Sequence, residues 1–224
     1  VPEPLAAGVP DMRPVRLLER FDEALDAAAE HALVADGAWV RDQVAAIVDV
    51  RSRVADEAAE LGALAVGAGL NHDDLHPWNL LRPTSPGRPP KAIDWGDAVV
   101  AHPFSVLLVP LRARRVRDDR EPGLVALRRA YLGPWADVAP RSELLRAADL
   151  ACRLGSIVRA HAWLRVLDAT RAAEAERAEL TRRTSALVET GTTPRRPTSA
   201  ELVPLLWLRN LALPSPLGVP TLQG

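Results

Sequence analysis

Asn71-His72-Asp73-Asp74-Leu75-His76-Pro77-Trp78-Asn79 is the stretch that decides how the rest of the chain is read. His72, Asp73, Asp74 and His76 crowd acidic and imidazole groups into a few positions. Leu70, Leu75, Leu80 and Leu81 flank them with apolar side chains. A polar loop tethered to a core at both ends points to function more strongly than a free surface loop does. Downstream, Ile93-Asp94-Trp95-Gly96-Asp97 repeats the pattern of carboxylates at an apolar edge. Asp94 ends a strand-like run just before a glycine, where the backbone can turn away and leave the carboxylate held. Aspartate and asparagine offer oxygen ligands suited to a hard cation such as magnesium.

The two segments frame a hairpin. Leu80 and Leu81 form one short arm and Lys91 to Trp95 the other. Residues 83–90, with four prolines and Gly87, read as the connecting loop. Everything else is helical in period. Residues 1–14 carry four prolines and read as an extended lead-in. Leu17, Leu18, Phe21, Leu25 and Ala28 space a helix over 15–34, and Val40, Val44, Ile47, Val54, Ala58 and Leu61 space a second over 38–64. Helices are expected at 104–117, 122–132, 142–170, 172–190 and 200–212, with 213–224 as a tail. The expected fold is mostly α with a small β-hairpin, one domain over 15–212 whose hairpin, 71–97, presents the polar loops.

Composition narrows the function classes. The chain has 224 residues, 48% hydrophobic and 25% charged, with a formal net charge of -1. That excludes a disordered chain and gives no global reason to expect a nucleic-acid binder. Cys152 is the single cysteine, so an intrachain disulfide and a cysteine zinc site are both excluded. His72 and His76 have four-residue spacing, but Pro77 argues against the helix that zinc ligation would need there. The weakly polar run 98–111 falls short of the ~20 residues that span a bilayer. No signal peptide is visible, and a soluble cytoplasmic protein is expected. Arg112, Arg114, Arg115, Arg117 and Arg120 form a basic run beside Asp118 and Asp119, read as a solvated helix end.

The two polar segments resemble the catalytic and metal-binding loops of the aminoglycoside phosphotransferase family, within the protein-kinase-like superfamily. That family's His-Gly-Asp, four variable residues and Asn is matched by His72-Asp73-Asp74-Leu75-His76-Pro77-Trp78-Asn79, and its Ile-Asp-Trp by Ile93-Asp94-Trp95. The resemblance implies that Asp74 is the catalytic aspartate, orienting or deprotonating a substrate hydroxyl. It implies Asn79 and Asp94 as magnesium ligands and His72 as a structural brace. Asp97 and His102 are expected to share in supporting the loop. The implied cofactors are ATP and magnesium, and the implied partner is a small hydroxylated substrate, with neither nucleic acid nor membrane involved.

The chain departs from the family pattern in three places. Asp73 replaces a glycine and adds a like charge beside Asp74. Ala101-His102-Pro103 stands where Gly-Asp-Pro is usual, so an imidazole replaces a bracing carboxylate. Two helices precede the loop where a glycine-rich, lysine-bearing nucleotide lobe is expected. Lys91, the single lysine, lies in the hairpin. The chain starts at Val1 and its single methionine is Met12, which fits a piece of a longer protein. The resemblance therefore extends to the C-terminal lobe alone. ATP affinity and activity are expected to be weak unless an N-terminal lobe is supplied. Three rivals remain: a non-catalytic kinase-like binding or regulatory module, a metal-dependent hydrolase using Asp74 and Asp94, and a nucleic-acid binder using the arginine run.

Overall fold

Helices set the architecture, and short strands only pin the loops between them. The computed structural model describes residues 2–33, 37–85, 87–117, 121–184 and 203–212. In chain order these form α1 (Pro2–Ala6), β1 (Asp11–Met12), α2 (Leu17–Leu33), α3 (Gly37–Val48), α4 (Arg51–Ala63), β2 (Gly69–Asn71), β3 (Leu80–Leu81), β4 (Lys91–Ala92), β5 (Val99–Ala101), α5 (Leu108–Arg117), α6 (Glu121–Leu132), α7 (Arg141–Thr184) and α8 (Val203–Arg209). Short 3₁₀ turns at Pro77–Asn79, Trp95–Asp97 and Pro103–Leu107 join them.

The axis of the fold is α7, 44 residues long. Leu144, Ala148, Ala151, Leu154, Ile157, Val158 and Ala160 are all buried, because α2, α4, α8 and the 103–107 turn surround this half of the helix. A helix enclosed on most sides must be apolar most of the way round. From Asp168 to Ala178 the side chains are exposed or half-buried, with charged residues and alanines interspersed. The sequence suggested two helices here, 142–170 and 172–190. They are one, since no glycine or proline lies between Ser156 and Thr184 to stop propagation.

Elsewhere the expected helix divides. The span 38–64 is broken at Asp49–Val50, where Val50 has φ -94° and ψ 0°. No glycine or proline marks the break. Packing explains it: both pieces lie on α2, with Ile47 and Val54 buried in the common core. Arg51, at the start of α4, grips Asp22 of α2 through two bonds of 2.7 and 2.6 Å.

A hairpin forms with Leu80 opposite Ala92 and Leu81 opposite Lys91, but its second arm is shorter than the expected Lys91 to Trp95: it ends at Ala92, because Asp94 turns left-handed and Trp95 begins a 3₁₀ turn. A second sheet, three-stranded in the order β1-β5-β2, was not evident in the sequence. β1 runs parallel to β5, and β2 runs antiparallel to it with Asn71 opposite Val99. Residues 1–14 are thus not simply an extended lead-in: they hold α1 and the strand that pairs with β5. The tail 213–224 and all of 185–202 lie outside the described residues, as does part of the basic run.

Gly155 sets how closely α7 approaches the turn after β5. A Cβ there would meet Leu108 Cδ2 at 3.2 Å and Ser105 Cβ at 3.6 Å. One turn earlier, the Cys152 thiol lies 3.8 Å from the Phe104 carbonyl, and burial pushes its pKa up to about 12. Cys152 is a packing group here.

Candidate active site

Both polar loops leave the same end of one sheet. With Asn71 opposite Val99 in an antiparallel pair, the chain exits β2 into residues 72–79 where residues 93–98 enter β5. Asn71 is buried and anchors the exit. Its Nδ2 donates to the His102 carbonyl at 2.9 Å and to Ser105 Oγ at 2.7 Å.

Further hydrogen bonds stitch one loop to the other. His72 is buried, with Nε2 2.7 Å from the Ile93 carbonyl. A carbonyl only accepts, so Nε2 carries the proton. The His72 ring also sits 4.9 Å from Trp95. The Ile93 N–H donates to the Asn79 carbonyl at 3.0 Å, and Asn79 Nδ2 donates to the Asp74 carbonyl at 3.0 Å. Asn79 is thereby fixed between Asp74 on one side and the residue before Asp94 on the other.

Asp73 and Asp94 are the two non-glycine residues with positive φ among those described, at 60° and 61°. This left-handed region favours glycine, and aspartate is among the residues that enter it most readily. The glycine expected at position 73 therefore has a conformational reason. Asp94 is exposed, and its αL backbone starts the Trp95–Asp97 turn. Two loop residues held in a costly region mark a site whose surroundings over-determine it.

The electrostatics centre on a residue the sequence reading missed. Arg159, from the buried half of α7, reaches under both loops. Its Nη1 lies 3.0 Å from Asp97 Oδ2, 3.3 Å from the Asp73 carbonyl and 3.5 Å from Asp73 Oδ2. Its Nη2 lies 3.5 Å from Asp74 Oδ1. Arg165, further along α7, holds the other oxygen of Asp97 at 3.2 Å. Burial pushes the Asp73 carboxyl up to about 8, and nearby Asp97 and Asp74 act in the same direction; Arg159 opposes them without prevailing. A signal for Arg159 existed: an arginine inside the apolar run Ile157-Val158-Arg159-Ala160 has to find partners within the core.

Asp74 is partly exposed, and its Oδ2 lies 3.5 Å from His76 Nε2. His102 sits differently from the sequence expectation. Its ring turns to Phe104 instead of the 72–79 loop: Nδ1 accepts from the Phe104 N–H at 3.2 Å, capping the next turn, and the ring meets Phe104 edge-on. Burial holds its pKa down to about 4. What His102 gives the loop is its main-chain carbonyl, through Asn71. Asp97 reaches the loop through Arg159 instead of touching it directly.

Among the described residues, no group of three or more His, Cys, Asp or Glu side chains is arranged to hold a metal. Magnesium sites that bind nucleotides need less, because one or two protein carboxylates join phosphate oxygens and water. Asp94 and Asn79 fit that smaller demand. The Asp94 carboxylate is solvent-facing, and Asn79 spends its Nδ2 on Asp74, which leaves Oδ1 as its lone-pair oxygen. No described helix is long and apolar enough to cross a membrane. Within the basic run, Arg112 lies 4.2 Å over the Trp207 ring and packs against α8.

The 72–79 turn, with Asp73 left-handed, is tied by His72 to a second turn that begins at left-handed Asp94. The family model for the phosphotransferase enzyme family (APH) matches residues 4–145, well over half of the chain, and the chain belongs to that family. Comparison with curated proteins finds no match, and comparison with solved structures finds none. Membership supports a general phosphotransferase-type activity and implies an ATP- and magnesium-dependent mechanism.

Proposed function

We propose that this chain is the helical, C-terminal lobe of a kinase-like enzyme that transfers the terminal phosphoryl group of ATP to a hydroxyl on a small molecule. The observation that carries this reading is the bond network around Asn79. The Asn79 side-chain amide donates to the main-chain carbonyl of Asp74, while the main-chain carbonyl of Asn79 accepts from the N–H of Ile93, the residue before Asp94. Asp74, Asn79 and Asp94 thus share one frame.

In this reading Asp74 accepts or orients the proton of the substrate hydroxyl. Its exposed edge faces solvent, and Arg159 and His76 contact its two oxygens. Asn79 Oδ1 and the Asp94 carboxylate would hold magnesium. When bound, the ion would neutralise charge on the transferring phosphate. His72 keeps the two loops in register, and the chain contributes positioning more than covalent chemistry. Nucleotide affinity would depend on a glycine-rich, lysine-bearing lobe, because the described residues before the loop form α1, β1, a 3₁₀ turn, α2, α3, α4 and β2.

The test is ATP consumption, with a nucleotide-binding N-terminal lobe supplied, across a panel of hydroxylated compounds, sugars and amino-alcohols included. Turnover that needs magnesium and Asp74 supports the reading. A second reading, a non-catalytic kinase-like binding module, is favoured by one feature: the buried Asp73 carboxyl stands where the family has glycine, next to Asp74. ATP-independent binding of a hydroxylated compound, with no turnover under any condition, would favour that module.

A further inference from the structure

Arg159 is too costly to be incidental. Its side chain is 8% exposed, so the charge has been withdrawn from water and its partners must compensate. Those partners come from two separate loops. Asp73 and Asp74 belong to the turn after β2, and Asp97 to the turn before β5. No other described side chain contacts carboxylates of both turns. The hydrogen bonds through His72 and Asn79 join the same loops higher up, along the main chain. The guanidinium closes the ring from below.

The choice of residue follows from the geometry. Nη1 faces three oxygens and Nη2 a fourth, a demand that a planar five-donor fork meets and a single ammonium point does not. Asp97 is held in turn by Arg165, so two guanidiniums from one rigid helix fix both of its oxygens. Gly155, one turn before Arg159, permits the close approach of α7 that brings the fork within reach.

We propose that Arg159 is the positioning residue of this site: from α7 it clamps the Asp73–Asp74 turn to the Asp97 turn and sets where the Asp74 carboxylate points. Its catalytic consequence rests on the phosphotransferase reading given above; the clamp itself does not. Arg159 touches neither substrate nor phosphate in this role. It replaces, from the helix side, the loop support that the His102 ring does not give.

The test compares Arg159→Gln, Arg159→Lys and Asp97→Asn with the parent chain, with Arg146→Gln as control. Arg146 pairs with Glu60 on the exposed α4–α7 surface, away from both loops. Amide hydrogen exchange is the first readout. Arg159→Gln should speed exchange by about 10-fold or more at residues 73–76 and 95–98, leaving α2 and α4 amides unchanged, as expected for a local opening. Arg159→Lys should recover part of the protection. If Arg159→Gln does not fold, Asp97→Asn should open the same two loops by itself. Unchanged exchange at both loops in the folded variants, or acceleration spread evenly over the whole chain, overturns the clamp.

Steady-state kinetics are the second readout. Arg159→Gln should lower kcat by about 10²-fold, the scale of a small misplacement of a reacting group, and leave KM for ATP nearly unchanged. A rise in KM with kcat intact overturns the positioning role. These kinetics are read with a nucleotide-binding N-terminal lobe supplied; absence of turnover in the parent under that condition sinks the phosphotransferase reading alone, and the exchange result still decides the clamp.

Discussion

His72 Nε2 and the Ile93 carbonyl lie 2.7 Å apart across the base of the hairpin, 21 residues apart in sequence. This bond joins a residue just after β2 to the residue just before Asp94 and so ties the 72–79 loop to the 93–98 loop. His72→Ala would remove the side-chain donor of a part-buried bond, at a cost of about 0.5–1.5 kcal/mol. Urea unfolding should show that loss. His72→Asn, which keeps a donor of different reach, should lose less. Equal stability of His72→Ala and the parent would remove the brace from the account.

Asp74→Asn should cut turnover by roughly 10²-fold or more, because it removes the oriented acid-base group and keeps the shape. The fold should survive. Asn79 binds the main-chain carbonyl of residue 74, which the substitution leaves in place. Near-parental turnover in this variant, measured by coupled ATP consumption, would reject the role given to Asp74.

Two buried groups set a pH signature of stability. Asp73 rises from an ordinary 3.8 to about 8 in the fold, and His102 drops from 6.5 to about 4. Between 3.8 and about 8 the folded chain keeps the Asp73 proton that the unfolded chain has released, so stability falls as pH rises. Between about 4 and 6.5 the unfolded chain binds a proton that buried His102 refuses, so there stability rises with pH. His161, also lowered by burial, adds to the His102 direction. The opposing effects offset one another up to 6.5, and above it Asp73 acts without the His102 counterweight. Urea midpoints should therefore decline from pH 6.5 toward 8, and Asp73→Gly should flatten that decline. Parallel profiles for the parent and Asp73→Gly would contradict the buried, protonated carboxyl.

Gly155→Leu should destabilise the chain by about 1–3 kcal/mol, the usual cost of overpacking a core contact. Its side chain would enter the space of Leu108 and Ser105. Gly155→Ala should be close to neutral, since about 1 kcal/mol of helix propensity offsets a tight 3.2 Å contact that a leucine methyl can relieve. Thermal melts of the two variants separate the effects. A Gly155→Leu variant as stable as the parent would show that α7 does not need this close approach.

Much of the helical framework was legible because its signal is local. Leu17, Phe21, Leu25 and Ala28 repeat on one face, and all but the ends of α2 follow from that spacing. The hairpin was legible from Leu80-Leu81, the proline-rich connection and Lys91 onward. The break between α3 and α4 was not, because nothing in Asp49-Val50 disfavours helix; two surfaces competing for α2 impose it. The β1-β5-β2 sheet was equally hidden. Strands of two or three residues carry no alternation to read, and β1 pairs with a strand nearly ninety positions downstream.

The sequence alone determined the helices' periods, the hairpin and the identity of the two polar loops, since each is written in neighbouring residues. Tertiary structure alone decided that Asp73 is buried, that the His102 ring faces Phe104, and that Arg159 lies beneath Asp73, Asp74 and Asp97. Burial and charge pairing are properties of what surrounds a residue. Here those surroundings arrive from α7, a helix whose own pattern shows that most of its first half is buried but not which loops its Arg159 meets.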